Sequence, residues 1–209
     1  MKRAEVQAGA AWVYTGVWAV LTRLLRVPAQ PPSIPVQGGG LLEQLRPADG
    51  FLRLLKFQFW LTMLLIDAPL LIGWAAITVA LPIVGAILLL PALLVIVGPA
   101  VVGYTAIHLR YDTTWYVLTD RSVRIRRGIW IIMETTITYE NIQNVVVTQG
   151  PVQRWFGIAD VVIQTAGGGG AHAGLLEGLA NAQRIRDLFL ARLAASRSAG
   201  LGDEHAEAG

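Results

Sequence analysis

The residues that could carry chemistry are few in this 209-residue chain, and their spacing argues against a catalytic site. The sequence contains no cysteine, which excludes disulfides and thiolate chemistry. Its three histidines, His108, His172 and His205, do not stand at metal-ligand spacing with a carboxylate or with one another. Nothing in the pattern pairs a serine or threonine nucleophile with a base. We therefore expect no catalytic residue, no metal and no cofactor.

A run of glycines, Gly167–Gly170, invites comparison with a phosphate-binding loop. A true loop of that kind continues with Gly-Lys-Ser/Thr and opens a helix. Here Ala171, His172 and Ala173 follow, so no lysine is placed to reach a phosphate. The glycines therefore predict a flexible loop.

Four arginines are concentrated in one short segment: Arg121, Arg124, Arg126 and Arg127. The stretch Ser122–Arg127 (SVRIRR) alternates as a strand does, which puts Arg124 and Arg126 on one face. Two guanidinium groups on one face can hold a phosphate between them. The same pattern also suits a solvated outer face, or general attraction to anionic lipid head groups. These arginines are candidates for lipid or phosphate contact, with both explanations open.

Residues 57–108 form the longest apolar stretch of the chain, and Asp67 is the one charged side chain within it. A bilayer crossing needs about 20 apolar residues, so this stretch has room for two. Pro82 and Gly85 favour a turn near Ala80–Gly85. We predict a transmembrane hairpin over residues 46–109, with spans of about 57–79 and 86–107.

Asp67 is costly in this setting, because a carboxylate in the middle of a span costs a few kcal/mol. One explanation is a polar contact inside the membrane, within the bundle or with another subunit, that fixes assembly. The other is a protonated Asp67 with a local hydrogen bond, since Pro69 leaves a nearby carbonyl free. A proton or ion path is disfavoured, because the second span has no ionisable group at matching depth.

Basic residues flank both ends of the hairpin, whereas the turn between the spans carries no charge. Arg46, Arg53 and Lys56 precede the first span, and Arg110 follows the second. Because cytoplasmic flanks collect Lys and Arg, we expect both termini in the cytoplasm. The net charge of +3 suits a protein beside an anionic leaflet. Because most basic residues flank the spans, where they set the membrane orientation, and do not form a clustered basic surface, we expect no nucleic-acid binding.

The segments outside the hairpin and its following domain differ in composition. Residues 1–27 have apolar residues at helical spacing together with Trp and Tyr, which predicts an amphipathic helix. Such a helix suits either the membrane interface or a packed position on protein. Residues 28–45 predict a linker rich in proline and glycine. Residues 197–209 are small and polar and predict a disordered tail.

After the hairpin the apolar pattern changes to a period of two, which predicts strands. Residues 110–196 contain several short strands and then one amphipathic helix. This order predicts an α+β domain, an antiparallel β barrel or sandwich capped by a C-terminal α-helix. The predicted elements are strands Thr114–Leu118, Ser122–Arg127, Trp130–Tyr139, Ile142–Thr148 and Ile158–Thr165 and the helix Ala182–Ala195.

Two stretches of this domain resemble the type-2 bacterial pleckstrin-homology (PH) domain membrane proteins. One runs from Tyr116 to Gly128 (YVLTDRSVRIRRG), and the other runs from Val147 to Gly167 (VTQGPVQRWFGIADVVIQTAG). The resemblance covers roughly residues 55–195 and implies a PH-like fold of two orthogonal sheets with a C-terminal helix. It implies no catalytic residues. The N-terminal forty residues and the segment Gly168–Gly178 depart from the family pattern.

The resemblance implies a non-enzymatic protein of the bacterial cytoplasmic (inner) membrane, whose cytoplasmic PH-like domain docks a protein or a lipid. The expected partners are the lipid bilayer, anionic phospholipid head groups, and either an unidentified protein or a second copy of the chain. The alternative is a subunit of a membrane enzyme or transport complex, with a site formed by the spans and a partner. The lack of catalytic groups favours the docking module.

Overall fold

The computed structural model describes residues 41–128, 131–165 and 174–202. Within these ranges two long helices and seven strands are followed by a C-terminal helix, which confirms the predicted α+β class. In chain order the elements are β1 (Leu41–Leu45), α1 (Asp49–Ala80), α2 (Pro82–Thr113), β2 (Trp115–Thr119), β3 (Ser122–Arg127), β4 (Met133–Thr138), a 3-10 turn (Tyr139–Asn141), β5 (Ile142–Thr148), α3 (Pro151–Trp155), β6 (Ala159–Thr165), β7 (Gly174–Leu179) and α4 (Ala182–Gly202).

The two long helices, α1 and α2, form a hairpin. Each is 32 residues long, and only Leu81 separates them. Pro82 begins α2, at a position where a helix does not need the backbone donor that proline lacks. The Trp74 Nε1 donates to the Gly85 carbonyl at 3.1 Å, and a Cβ at Gly85 would overlap Thr78. The turn therefore falls in the predicted segment, and glycine lets the helices meet there.

Both helices are long and apolar enough to cross a membrane, judged by length and composition. In the most apolar 18 residues of α1 and of α2, 0% and 6% of the residues are buried. The helices extend beyond the predicted spans of 57–79 and 86–107, because their bases pack on the sheet domain. Phe51, Leu54 and Leu55 of α1 are buried there, as is Leu109 of α2.

The strands form two separate antiparallel sheets, in the orders β1-β2-β3-β4 and β5-β6-β7. Their side chains alternate, so that Val123 and Ile125 of β3 enter the apolar core. α4 covers this core with Ile185, Phe189 and Leu193. Two sheets capped by a helix agree with the sandwich form of the prediction.

The first strand corrects the predicted domain boundaries. The expected linker 28–45 is wrong for residues 41–45, which form β1 and pair antiparallel with β2. Leu45 packs against the core and lies opposite Tyr116. Composition did not reveal this strand, because its stability comes from a partner about seventy residues away along the chain. The helical hairpin is therefore an insertion between the first two strands of one sheet.

Three further differences from the prediction exceed one residue. β4 begins at Met133, so Ile131 and Ile132 lie outside the strand that we expected from residue 130. β7 forms inside the segment that departs from the family pattern, because it pairs with β6. α4 continues to Gly202, so residues 197–202 of the expected disordered tail are helical. Alanine and arginine, which are strong helix formers, precede that stretch.

Several predictions concern residues outside the described ranges. They are the amphipathic helix over residues 1–27, the linker up to residue 40, the loop Gly167–Gly170, and the positions of His172 and His205.

Candidate functional site at the helix base

The hairpin is fastened to the sheet domain at the end of β7, beside the base of α1. Gly178 has a φ of +67°, a left-handed conformation that glycine adopts without strain. Its carbonyl accepts a hydrogen bond from the Ala48 N–H at 2.8 Å. A Cβ at Gly178 would overlap the Phe51 side chain. Glycine at this position therefore permits the close approach of α1.

Glu177 connects the base of α2 to the same turn. One guanidinium nitrogen of Arg110 lies 3.0 Å from each carboxylate oxygen of Glu177. Tyr116 of β2 holds the Glu177 backbone, because its phenolic oxygen accepts from the N–H at 2.8 Å and donates to the carbonyl at 3.1 Å. Burial raises the pKa of Tyr116, so the phenol keeps its proton even at moderately alkaline pH. Arg110, Tyr116, Glu177 and Gly178 are called the junction below.

The segment around α3 supports the junction from the other side. Asp160 accepts the Gly178 N–H at 2.8 Å with one carboxylate oxygen and the Gln153 amide at 2.7 Å with the other. The Gln153 side-chain oxygen in turn accepts the Gly150 N–H at 2.8 Å, which fixes the start of α3. Gly157 follows α3 with a φ of +66°. Gly150, Gln153, Gly157 and Asp160 lie in the second stretch that resembles the family, Val147–Gly167. The hydrogen bonds of Gln153 and Asp160 explain why polar residues occur at this spacing.

The four arginines in and beside β3, which the sequence predicts as lipid or phosphate contacts, do not form one cluster. Arg124 and Arg126 share the outer face of β3, as the sequence predicts, whereas Arg127 alternates to the opposite face. Arg121 is exposed in the turn before β3, at the end of the strand away from the helix base. At about 3.3 Å per residue, Arg121 and Arg127 are about 20 Å apart. One phosphate therefore cannot contact all four side chains.

Arg124 and Arg126 also have protein neighbours. The Arg124 guanidinium lies 3.2 Å from the Glu134 carboxylate, and its Nε donates to the Thr136 hydroxyl at 3.3 Å. Arg126 is engaged within the described structure and pairs in register with Trp115. The guanidinium of Arg46 stacks on that Trp115 ring, 3.5 Å from its centroid. An anion on this face would have to compete with Glu134 for Arg124.

Asp67 lies near the middle of the apolar part of α1. At 1.5 Å per residue it is about 15 Å from Phe57 and about 21 Å from Leu81. Its side chain is half-exposed, and within the described residues its carboxylate makes no hydrogen bond or ion pair. Pro69 and Trp74 line an apolar groove of about 360 Å³ between α1 and α2.

The residues of the described ranges bring no group of three or more His, Asp or Glu together in a way that could hold a metal ion. Sequence reasoning missed the junction, because Glu177 and Gly178 fall in the segment Gly168–Gly178 that departs from the family pattern. The available signal was the alternation of GLLEGL, in which Leu176 is buried and Glu177 is half-exposed.

A comparison with known families agrees with this architecture. A family model described as a bacterial PH domain matches residues 57–193, more than half of the chain. No curated protein and no solved structure matches the chain. The matched range includes most of the helical hairpin as well as strands β2 to β7, so the hairpin belongs to what the family shares.

Proposed function

The chain belongs to the bacterial PH domain family, and on that basis we propose that it is a membrane-embedded, non-enzymatic docking protein. Its hairpin crosses the bacterial cytoplasmic membrane twice, and its PH-like domain receives a protein or a lipid at the cytoplasmic surface. The observation that carries this proposal is the exposed apolar hairpin, which is inserted between strands β1 and β2 of the domain.

The apolar surface of the hairpin supports the membrane location. Leu65, Ile72 and Val79 of α1 are 69%, 71% and 85% exposed, and neighbouring side chains are exposed as well. A soluble monomer rarely exposes an apolar surface of this extent. A bilayer solvates such side chains, and a helix satisfies its own backbone hydrogen bonds there.

The charges support a cytoplasmic domain. Arg53, Lys56 and Arg110 lie at the helix bases beside the sheets, whereas the residues around Leu81 are apolar. Positive residues remain on the cytoplasmic side of a hairpin. With the bases inside, both strands that flank the hairpin, and the whole sheet domain, are cytoplasmic.

Docking on the domain is expected at strand edges that pair with no other strand among the described residues. β4 and β5 each lie at the end of a sheet, and each has an edge on which an extended peptide can add a strand. The arginines near the helix base, Arg126 and Arg127, add a salt-sensitive attraction to anionic head groups. Arg121 lies too far from the helix base to share in it.

A second contact is expected inside the membrane at Asp67. Its side chain is half-exposed on α1, two residues before Pro69, which lines the groove together with Trp74. Ionisable residues at this depth face a polar partner rather than lipid. We assign that partner to a transmembrane segment of a second copy of the chain or of another membrane protein.

Cysteine labelling tests the proposed topology, since the natural chain has no cysteine. Leu81→Cys and Glu140→Cys place single thiols at the hairpin turn and on the sheet domain. A membrane-impermeant maleimide added to intact spheroplasts should label Leu81→Cys, and it should label Glu140→Cys only after the membrane is opened. Labelling of Glu140→Cys in intact spheroplasts would show that the orientation is wrong.

Copurification in mild detergent separates the docking function from the alternative. A bound protein or lipid supports a docking module. Turnover of a substrate, or uptake of a solute by vesicles that contain the purified complex, would instead favour a subunit of an enzyme or transporter.

A further inference from the structure

Trp155 is the most exposed tryptophan side chain for which an exposure is described, and its position is informative. It ends α3 and is 77% exposed. Its ring lies edge-on to the ring of Phe57 in α1, with 6.4 Å between the centroids. Phe57 marks the level at which α1 leaves the sheet domain, because Leu54 and Leu55 are buried against the domain and no residue of α1 beyond Phe57 is buried.

Other aromatic side chains lie at the same level on the hairpin. Trp60 is less than one turn beyond Phe57 and is 56% exposed. Its ring lies 6.4 Å from that of Tyr104 in α2. Trp and Tyr concentrate at the boundary between lipid tails and water. Phe57, Trp60 and Tyr104 therefore mark that boundary on the hairpin, and Trp155 extends it onto the domain.

Basic side chains border the same patch. Arg53 is exposed one turn below Phe57 on the same face of α1, and Arg154 is exposed beside Trp155 in α3. Neither guanidinium forms an ion pair with the residues that the structure describes. An aromatic side chain at the boundary, with arginines on its aqueous side, is complementary to the head groups of an anionic leaflet.

We propose that α3 inserts into the head-group region of the same leaflet that the hairpin enters. The inserted surface consists of Phe57, Val152, Arg154 and Trp155. The inference rests on the proposed membrane crossing and adds to it a second attachment of the domain. With the helix bases and α3 both held, the sheet domain has a fixed orientation on the membrane, and its open edges keep a set distance from the lipid.

Spin labelling of the full chain in vesicles tests this attachment. Val152→Cys places a label on α3 and leaves Trp155 intact, Gln143→Cys places one on the exposed far part of β5, and Leu90→Cys places one in α2. Collision with oxygen, which concentrates in lipid, is compared with collision with a water-soluble nickel chelate. The vesicles contain phosphatidylglycerol and phosphatidylethanolamine, with a second set of phosphatidylcholine alone.

The proposal expects the Val152 label to collide more with oxygen and less with nickel than the Gln143 label does. Arg154→Gln combined with Trp155→Ala should shift the Val152 label toward the values for water, whereas Arg121→Gln should not. The Val152 label should be less exposed to nickel in the anionic vesicles than in phosphatidylcholine alone, and equal values in the two sets would mean that Arg53 and Arg154 do not contribute to the attachment.

Three results would overturn the inference. If the Val152 label collides with nickel as often as the Gln143 label does, while the Leu90 label lies in lipid, then α3 is not inserted and the membrane crossing still stands. A Val152 label shielded from both reagents indicates a protein covering this surface. A Leu90 label in water rejects the crossing itself, and the inference with it.

Discussion

Gly178 and Gly157 share a left-handed backbone and differ in what surrounds them. Their φ values are +67° and +66°, but a Cβ at Gly178 would overlap Phe51, whereas a Cβ at Gly157 meets open space. Gly157→Ala should cost about 1–2 kcal/mol, from the left-handed conformation alone. Gly178→Ala should cost more, because α1 must also move away from β7. Unfolding by urea in mild detergent measures both.

Gly157→Ala is the matched control for this prediction, since it imposes the same backbone strain without the clash. Equal losses of stability in the two variants would mean that the contact between Gly178 and Phe51 does not hold the hairpin to the domain.

Asp67 is the residue whose replacement should alter assembly. Asp67→Leu removes a half-exposed carboxylate from the middle of α1 and should insert at least as well as the natural chain. If Asp67 contacts a second transmembrane segment, the same change should reduce the size of the complex in detergent, as measured by light scattering after gel filtration. Asp67→Asn, which keeps a hydrogen-bonding side chain, should retain the complex. An unchanged size for Asp67→Leu would contradict the proposed contact.

At the scale of elements, buried tyrosines tie the sheets together and predict sensitivity to alkali. Tyr139 is buried between β4 and β5 and donates to the Thr119 carbonyl at 3.1 Å. Burial raises the pKa of Tyr139 to about 12, from an ordinary value near 10. The folded state therefore holds this proton more tightly than the unfolded state. The contribution of Tyr139 to the free energy of unfolding is complete below pH 10 and is lost as the pH rises toward 12.

Tyr139→Phe tests the role of this phenol. The change should cost about 1 kcal/mol at pH 8, from the lost hydrogen bond. It should also make the unfolding midpoint fall less steeply between pH 10 and 12 than it does in the natural chain. Tyr116, which remains in this variant, accounts for a residual slope. An identical slope in the two proteins would show that Tyr139 does not titrate with unfolding.

At the scale of the whole molecule, the insertion of the hairpin between β1 and β2 makes a prediction about fragments. A chain of residues 114–196 lacks β1, so β2 becomes an edge strand with a free row of backbone groups. Val117 and Leu118, which are fully buried in the protein, would lose part of their cover. This fragment should aggregate or unfold readily.

A second fragment is the control. It joins residues 41–45 to residues 114–196 through a short glycine-serine turn in place of the hairpin, and so restores the pairing of β1 with β2. Both fragments lose the same contacts with α1 and α2, so their difference in solubility and thermal midpoint isolates β1. Equal behaviour would mean that β1 contributes little to the domain.

Features of this protein that arise from a local pattern of residues can be predicted from the sequence alone. A predominantly apolar stretch of about fifty residues with Pro82 near its middle specifies a helical hairpin. Alternation in SVRIRR specifies a strand, and the spaced polar residues from Val147 to Gly167 identify the family. Three features became visible only in the folded chain: Leu41–Leu45 joins the sheet, Glu177 and Gly178 hold the helix bases, and Arg121 and Arg127 lie far apart. These features depend on contacts between segments that are distant in sequence. Such contacts produce no periodic pattern of residues within either segment, so the sequence does not reveal them.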